Sequence, residues 1–126
     1  MKKVLLFVMH GMRDQSSNKE ALEFFNKIRP LVKIDVDVFT PCFLAFGKPD
    51  IVDGLEDAFE KGARKAYIFP YFLFEGAHVK KAIPDIISVF SEKHPEVEIE
   101  ILPIFGDVKN LKEFVAKGLE DEMKNK

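Results

Sequence analysis

The sequence predicts a three-layer α/β fold in which a four-stranded parallel sheet is flanked by helices. Two observations carry that expectation. Strand-like and helix-like segments alternate along the 126 residues, and the central apolar runs read as strands buried on both faces, the pattern of a sheet covered on each side. The length suits one domain, so residues 1–126 are read as a single unit.

Val4 to Met9 is the first strand, an unbroken apolar run ended by His10. Ser17 with Glu20 three residues on has the form of a capping box. Ala21, Phe24, Phe25 and Ile28 then repeat at helical spacing until Pro30. Ile34, Val36 and Val38 alternate with Asp35 and Asp37, which predicts a second strand at a sheet edge, closed by Pro41. Asp50 is placed to cap a second helix through Ile51, Leu55 and Phe59, with Gly62 as its stop. Ala66 to Phe69 is the third strand. Ile83, Ile86, Ile87 and Phe90 predict a third helix with Pro84 in its first turn and His94-Pro95 at its end. Val97, Ile99 and Ile101 form a fourth strand, and Val108, Leu111, Val115 and Leu119 a last amphipathic helix.

Right-handed crossovers arrange four such strands most economically in the order 2-1-3-4. The connections from strands one and three then leave in opposite directions, opening a crevice at the carboxyl ends of the strands where ligands of open α/β sheets bind. The segments that follow these two strands both hold a histidine: His10 in His10-Gly11-Met12-Arg13, and His78 in Glu75-Gly76-Ala77-His78-Val79-Lys80-Lys81.

Composition excludes several classes of function. A net charge of −2 gives no field that would hold nucleic acid or an anionic membrane nonspecifically. The lysines from Lys109 onward are interspersed with glutamates and read as a solvated helix face. No apolar stretch nears the roughly 20 residues needed to span a bilayer, and the run after Met1-Lys2-Lys3 is too short for a secretion signal. One cysteine, Cys42, rules out an internal disulfide and a cysteine-rich zinc site, so cytoplasmic residence is expected. Neither glycine-rich phosphate-binding pattern occurs, which sets nucleotide and flavin binding aside.

Neutral imidazole is a common ligand for divalent first-row metals and accepts a proton near neutral pH. Inserting a metal into a macrocycle requires two pyrrole protons to leave while the metal sheds water, and a pair of imidazoles at one crevice suits both tasks. Gly11 and Gly76 would let backbone approach a flat ligand, and Arg13, Lys80 and Lys81 would meet its carboxylates. Spacing alone leaves a hydrogen-bonded structural role open for either histidine. His94, at a helix end away from the crevice, is read as a cap. Cys42 is read as a small apolar residue. The aromatic run Tyr67, Phe69, Tyr71, Phe72 and Phe74, like Phe43 and Phe46, fits core packing, with stacking on a ligand or burial at an interface as the other reading.

His10-Gly11-x-Arg13 after the first strand, Phe43-Leu44 and Pro49 after the second, Gly62-Ala63-Arg64 before the third, and Gly76-x-His78-Val79-Lys80-Lys81-x-Ile83-Pro84 together resemble the small sirohydrochlorin cobalt/iron chelatases of the CbiX type, of the class II chelatase family. The resemblance covers nearly the whole chain. It implies a chelatase half-domain that forms a homodimer and inserts Co²⁺ or Fe²⁺, as substrate, into sirohydrochlorin or a related tetrapyrrole for cobalamin or siroheme biosynthesis. Neither ATP nor an organic cofactor is implied, and the residues matching His10 and His78 are the family's metal ligands. Three positions depart from the pattern. Ala45 stands where many relatives have a glutamate, Met12 where serine is common, and Ala82 where an acidic residue is common. These departures keep a second reading open, a non-catalytic metal- or tetrapyrrole-binding protein of the same fold, and Glu75 is a candidate for the missing carboxylate.

Overall fold

The computed structural model describes residues 2–126. Its single sheet has the order β2-β1-β3-β4, with every pairing parallel. The strands are β1 (Lys2–Met9), β2 (Val38–Phe43), β3 (Ala63–Pro70) and β4 (Glu98–Ile101). The helices are α1 (Gln15–Ile28), α2 (Ile51–Glu60), α3 (Ala77–Lys93) and α4 (Leu111–Met123).

Alternation along the strands divides the core in two. Val4, Leu6 and Val8 of β1 point to the same side as Cys42, Ala66 and Ile68, where they pack with Ile51, Leu55 and Ala58 of α2 and with Val79, Ile83 and Phe90 of α3. Phe7 and Met9 point to the other side, joining Phe43 and Phe25 of α1, with Phe39, Phe69 and Tyr71 half-buried against them. The second cluster is aromatic. Phe7 lies 4.8 to 6.2 Å, centroid to centroid, from Phe25, Phe39, Phe69 and Tyr71.

Three local expectations are corrected. Helix α1 begins before Ser17, because Asp14 caps it by accepting from the Ser16 N–H at 3.0 Å. Side-chain and backbone bonds from Ser16 hold the Asp14 carboxyl below its ordinary pKa. The second strand lies further along than Ile34 to Val38. Asp37 accepts from the Lys3 N–H and donates its own N–H to the Lys3 carbonyl, and pairing with β1 then runs from Val38 to Phe43. Pro41 therefore sits inside the strand, which an edge strand tolerates because an outward N–H has no partner to lose. The edge position itself is as expected.

The third correction bears on the site. Helix α3 starts at Ala77, so Pro84 lies in its interior. Proline removes the hydrogen bond to the Lys80 carbonyl. Burial of Val79 and Ile83 against the sheet outweighs that local cost. His78, Lys80 and Lys81 consequently belong to the first turns of a helix instead of to a loop.

The remaining caps follow the sequence. Asp50 and Asp53 form a reciprocal capping box on α2, and Gly62, at φ +99°, turns the chain out of that helix. His94 ends α3 with Nε2 2.9 Å from a Glu56 oxygen and its ring between Phe59 and Phe90, a structural placement. Among the described residues no helix is long and apolar enough to cross a membrane.

Candidate functional site

A cleft of about 410 Å³ opens at the carboxyl ends of the strands, on the face covered by α1. Its wall is built from Met9 and His10 at the end of β1, Gly11 and Met12 beyond it, Phe43 at the end of β2, Tyr71 just after β3, and Ser17, Asn18, Glu20, Ala21 and Phe24 of α1. This is the crevice that the strand order predicts.

Backbone bonds across the strand ends hold His10 in place. The Met9 carbonyl accepts from the Leu44 N–H at 2.8 Å, and the His10 carbonyl accepts from the Ala45 N–H at 3.1 Å. The chain then turns at Gly11, whose φ of +88° is left-handed and whose missing Cβ would lie 1.7 Å from the Ala45 carbonyl oxygen. The His10 side chain is exposed, with Nδ1 3.3 Å from the Gly11 carbonyl and the ring edge-on to Phe72 at 5.6 Å. Through Phe72 the segment after β1 touches the segment after β3.

The cleft is aromatic on one side. Phe24 and Tyr71 lie nearly parallel, 5.6 Å apart at 26°, and Tyr71 also touches Phe105 at 4.8 Å. Burial alone raises the pKa of the Tyr71 phenol. Such a surface accepts the face of a flat, conjugated ligand.

Of the residues expected to form the site, His10 and Gly11 line the cleft. His78 does not. It is exposed in the first turn of α3, which packs on the opposite face of the sheet. Gly76 caps that helix, and a Cβ there would meet no protein atom within 4 Å. Arg13 lies over the Phe46 ring at 5.0 Å. Lys81 is paired with Asp85 at 2.9 Å, and Lys80 is exposed. Glu75 is half-buried between β3 and α3. Among the described residues no group of three or more His, Cys, Asp or Glu side chains is arranged to hold a metal ion. Ala45, whose N–H bonds the His10 carbonyl, brings no polar side chain to this end of the sheet.

Cys42 plays no part in the cleft. It is fully buried on the α2 and α3 face, and burial, reinforced by the charges of Asp50 and Asp53, pushes its thiol up to about 12 from an ordinary 9.0. The fold thus favours the protonated thiol. That contribution is complete below pH 9 and is lost as pH rises toward 12, on the order of 4 kcal/mol in all. Between about pH 8 and about pH 10.5 the stability of the native chain relative to its Cys42→Ala variant is expected to fall by about 2 kcal/mol in urea denaturation. A difference that stays constant with pH would contradict this.

Asn18 is the residue that sequence reasoning passed over. It is the buried polar side chain of the described residues, 5% exposed, in the first turn of α1. An asparagine in a helical run carries no motif of its own, and only the folded loops around it reveal what it holds.

Comparison with known proteins gives a consistent picture. The CbiX family model matches residues 4–122. Sirohydrochlorin ferrochelatase of Priestia megaterium is 33% identical over 102 residues, covering 81% of this chain and 38% of that protein. Sirohydrochlorin cobaltochelatase of the same organism is 35% identical over 95 residues, covering 75% of this chain and 30% of that protein. Among solved structures, SirB from Bacillus subtilis with Fe³⁺ superposes with a TM-score of 0.84 at 28% identity, covering 98% of this chain and 48% of that one. The chain spans well under half the length of both curated relatives.

Proposed function

The chain belongs to the CbiX family, and from that premise we propose that it inserts a divalent metal, Co²⁺ or Fe²⁺, into sirohydrochlorin or a related tetrapyrrole, as a chelatase of the lyase class serving cobalamin or siroheme biosynthesis. The observation that carries the reading is His10 in the wall of an aromatic-lined cleft at the carboxyl ends of the strands.

The tetrapyrrole lies against Phe24 and Tyr71, and its carboxylates meet Arg13 and Lys80, with Lys81 once it leaves Asp85. The His10 imidazole holds the incoming metal weakly, and His78 serves as the second ligand from the start of α3. Insertion releases two protons from the macrocycle for each metal taken up, so charge balances without a nucleotide or redox partner, and the imidazoles accept those protons as the metal leaves them. With no group of three or more His, Cys, Asp or Glu side chains among the described residues to hold it, the metal is bound loosely, which suits an ion that must be handed on.

The test is spectrophotometric. With Co²⁺ or Fe²⁺ and sirohydrochlorin, the protein is expected to accelerate the metalation absorbance change, and the His10→Ala, His78→Ala double variant to lose at least about a hundredfold of that acceleration. Equal rates would overturn the mechanism. Tight binding of metal or tetrapyrrole with no turnover would assign a carrier role instead.

The pairing of two copies is part of the same reading. Helix α4 buries none of its residues, and its apolar stripe leaves Phe114 76%, Val115 49%, Leu119 63% and Met123 66% exposed. On the α1 side of the sheet, Leu5, Phe7, Phe39, Phe69 and Leu102 line an apolar groove of about 200 Å³. A second copy offers each surface a complement, and a structural neighbour about twice as long is matched along about half its length. The remaining parts of the proposal are that residues 1–126 act as one chelatase domain and that the protein works in the cytoplasm, where a lone thiol stays reduced.

A further inference from the structure

We propose that Asn18 is a positioning residue that fixes the direction of His10 by locking the two loops on either side of it. The inference rests on the reading of His10 as a metal ligand. It is carried by hydrogen bonds that have no part in the fold of α1 itself.

The Asn18 amide reaches across to both loops. Its Oδ1 accepts from the Met12 N–H at 2.8 Å, while Nδ2 faces the Met12 carbonyl at 2.8 Å, the Phe46 carbonyl at 3.0 Å and Gln15 Oε1 at 3.1 Å. Two N–H groups are thus shared among three acceptors. Gln15 adds a second bond to the Phe46 carbonyl at 2.9 Å. Phe46 is held at φ 61°, a left-handed conformation that an aromatic residue adopts only under restraint.

His10 lies between these anchors. Its own carbonyl is tied to Ala45, one residue before Phe46, and two residues on, Met12 is tied at both backbone groups to Asn18. One buried amide therefore closes a ring that runs from His10 through Gly11 to Met12, across Asn18 to Phe46, and back through Ala45. A buried amide is costly unless bonded, and every buried side-chain polar atom among the described residues has a partner. The α1 backbone needs none of these contacts, since Asp14 already caps the helix. Their effect is to hold the residue that presents the metal, where a displacement of about 1 Å is enough to slow insertion severely.

The experiment compares Asn18→Ala and Asn18→Asp with Val97→Ala, a truncation of a buried residue in the opposite core cluster. Asn18→Asp keeps the side-chain volume and the acceptor for the Met12 N–H but removes both donors, so the two variants separate the part played by the donors from that of the acceptor. Cobalt insertion into sirohydrochlorin is followed for kcat and KM, and the Met12 amide by hydrogen exchange. Both Asn18 variants are expected to lose at least about tenfold in kcat with KM within about threefold, while Val97→Ala keeps kcat within about twofold. Met12 amide exchange is expected to rise at least about tenfold in Asn18→Ala relative to Val97→Ala. Equal kcat in the Asn18 and Val97 variants overturns the proposal. If the native protein does not metalate, the metal-insertion reading fails by itself, and the proposal is then decided by exchange alone, equal Met12 rates overturning it.

Discussion

Gly11→Ala is expected to destabilise the protein by at least about 3 kcal/mol and to remove the cleft, whereas Gly76→Ala is expected to change stability by no more than about 0.5 kcal/mol. The two glycines look alike in the sequence, each beside a candidate ligand. At Gly11 the backbone is left-handed, and an added Cβ would stand 1.7 Å from the Ala45 carbonyl oxygen, a backbone atom and not the end of a movable side chain. The strained φ alone costs about 1–2 kcal/mol, and the overlap forces the loop after β2 away from His10. At Gly76 the backbone has φ −73° and open space around the missing Cβ. Urea denaturation of the two variants side by side checks this directly. A Gly11→Ala protein within about 1 kcal/mol of the native one would show that the turn relaxes freely.

The second large effect concerns association. Sedimentation of the native chain at tens of micromolar is expected to show a dimer, and the Phe114→Glu, Leu119→Glu double variant to weaken it at least about a hundredfold, about 2.7 kcal/mol. Both side chains are largely exposed in the single chain, 76% and 63%, so the variant has no reason to unfold. Unchanged circular dichroism together with a monomer would assign the contact to the α4 stripe. A native chain that sediments as a monomer, or a variant dimer as tight as the native one, would remove α4 from the interface.

Much of the fold was legible because the apolar runs of β1 and β3 and the periodicity of α2 depend on local pattern, and the strand order follows from crossover handedness. What escaped was decided by partners. Asp35 and Asp37 alternate with apolar residues as a strand would, yet pairing with β1 begins only at Val38, after Asp37 has bonded to Lys3. Pro84 reads as a helix start, and only the burial of Val79 on the sheet reveals that the helix began at Ala77. At the site, His10 and Gly11 were legible from their place after the first strand. The sequence places His78 in a loop, whereas it stands in the first turn of a helix on the other face. Asn18 was invisible, since its partners are backbone groups of two segments, one of them about thirty residues away.

The two borders of the sheet also govern how copies can join. Pro41 interrupts the outer row of donors on β2, and β4 is short and carries Glu98 and Glu100, held by Lys65 of β3 at 3.2 and 3.6 Å. Neither border offers a long, neutral template for another strand, so sheets from different molecules do not fuse end to end. Contact between copies is left to the broad apolar flanks, where a self-complementary union would be complete at two members and would close the assembly instead of extending it into filaments.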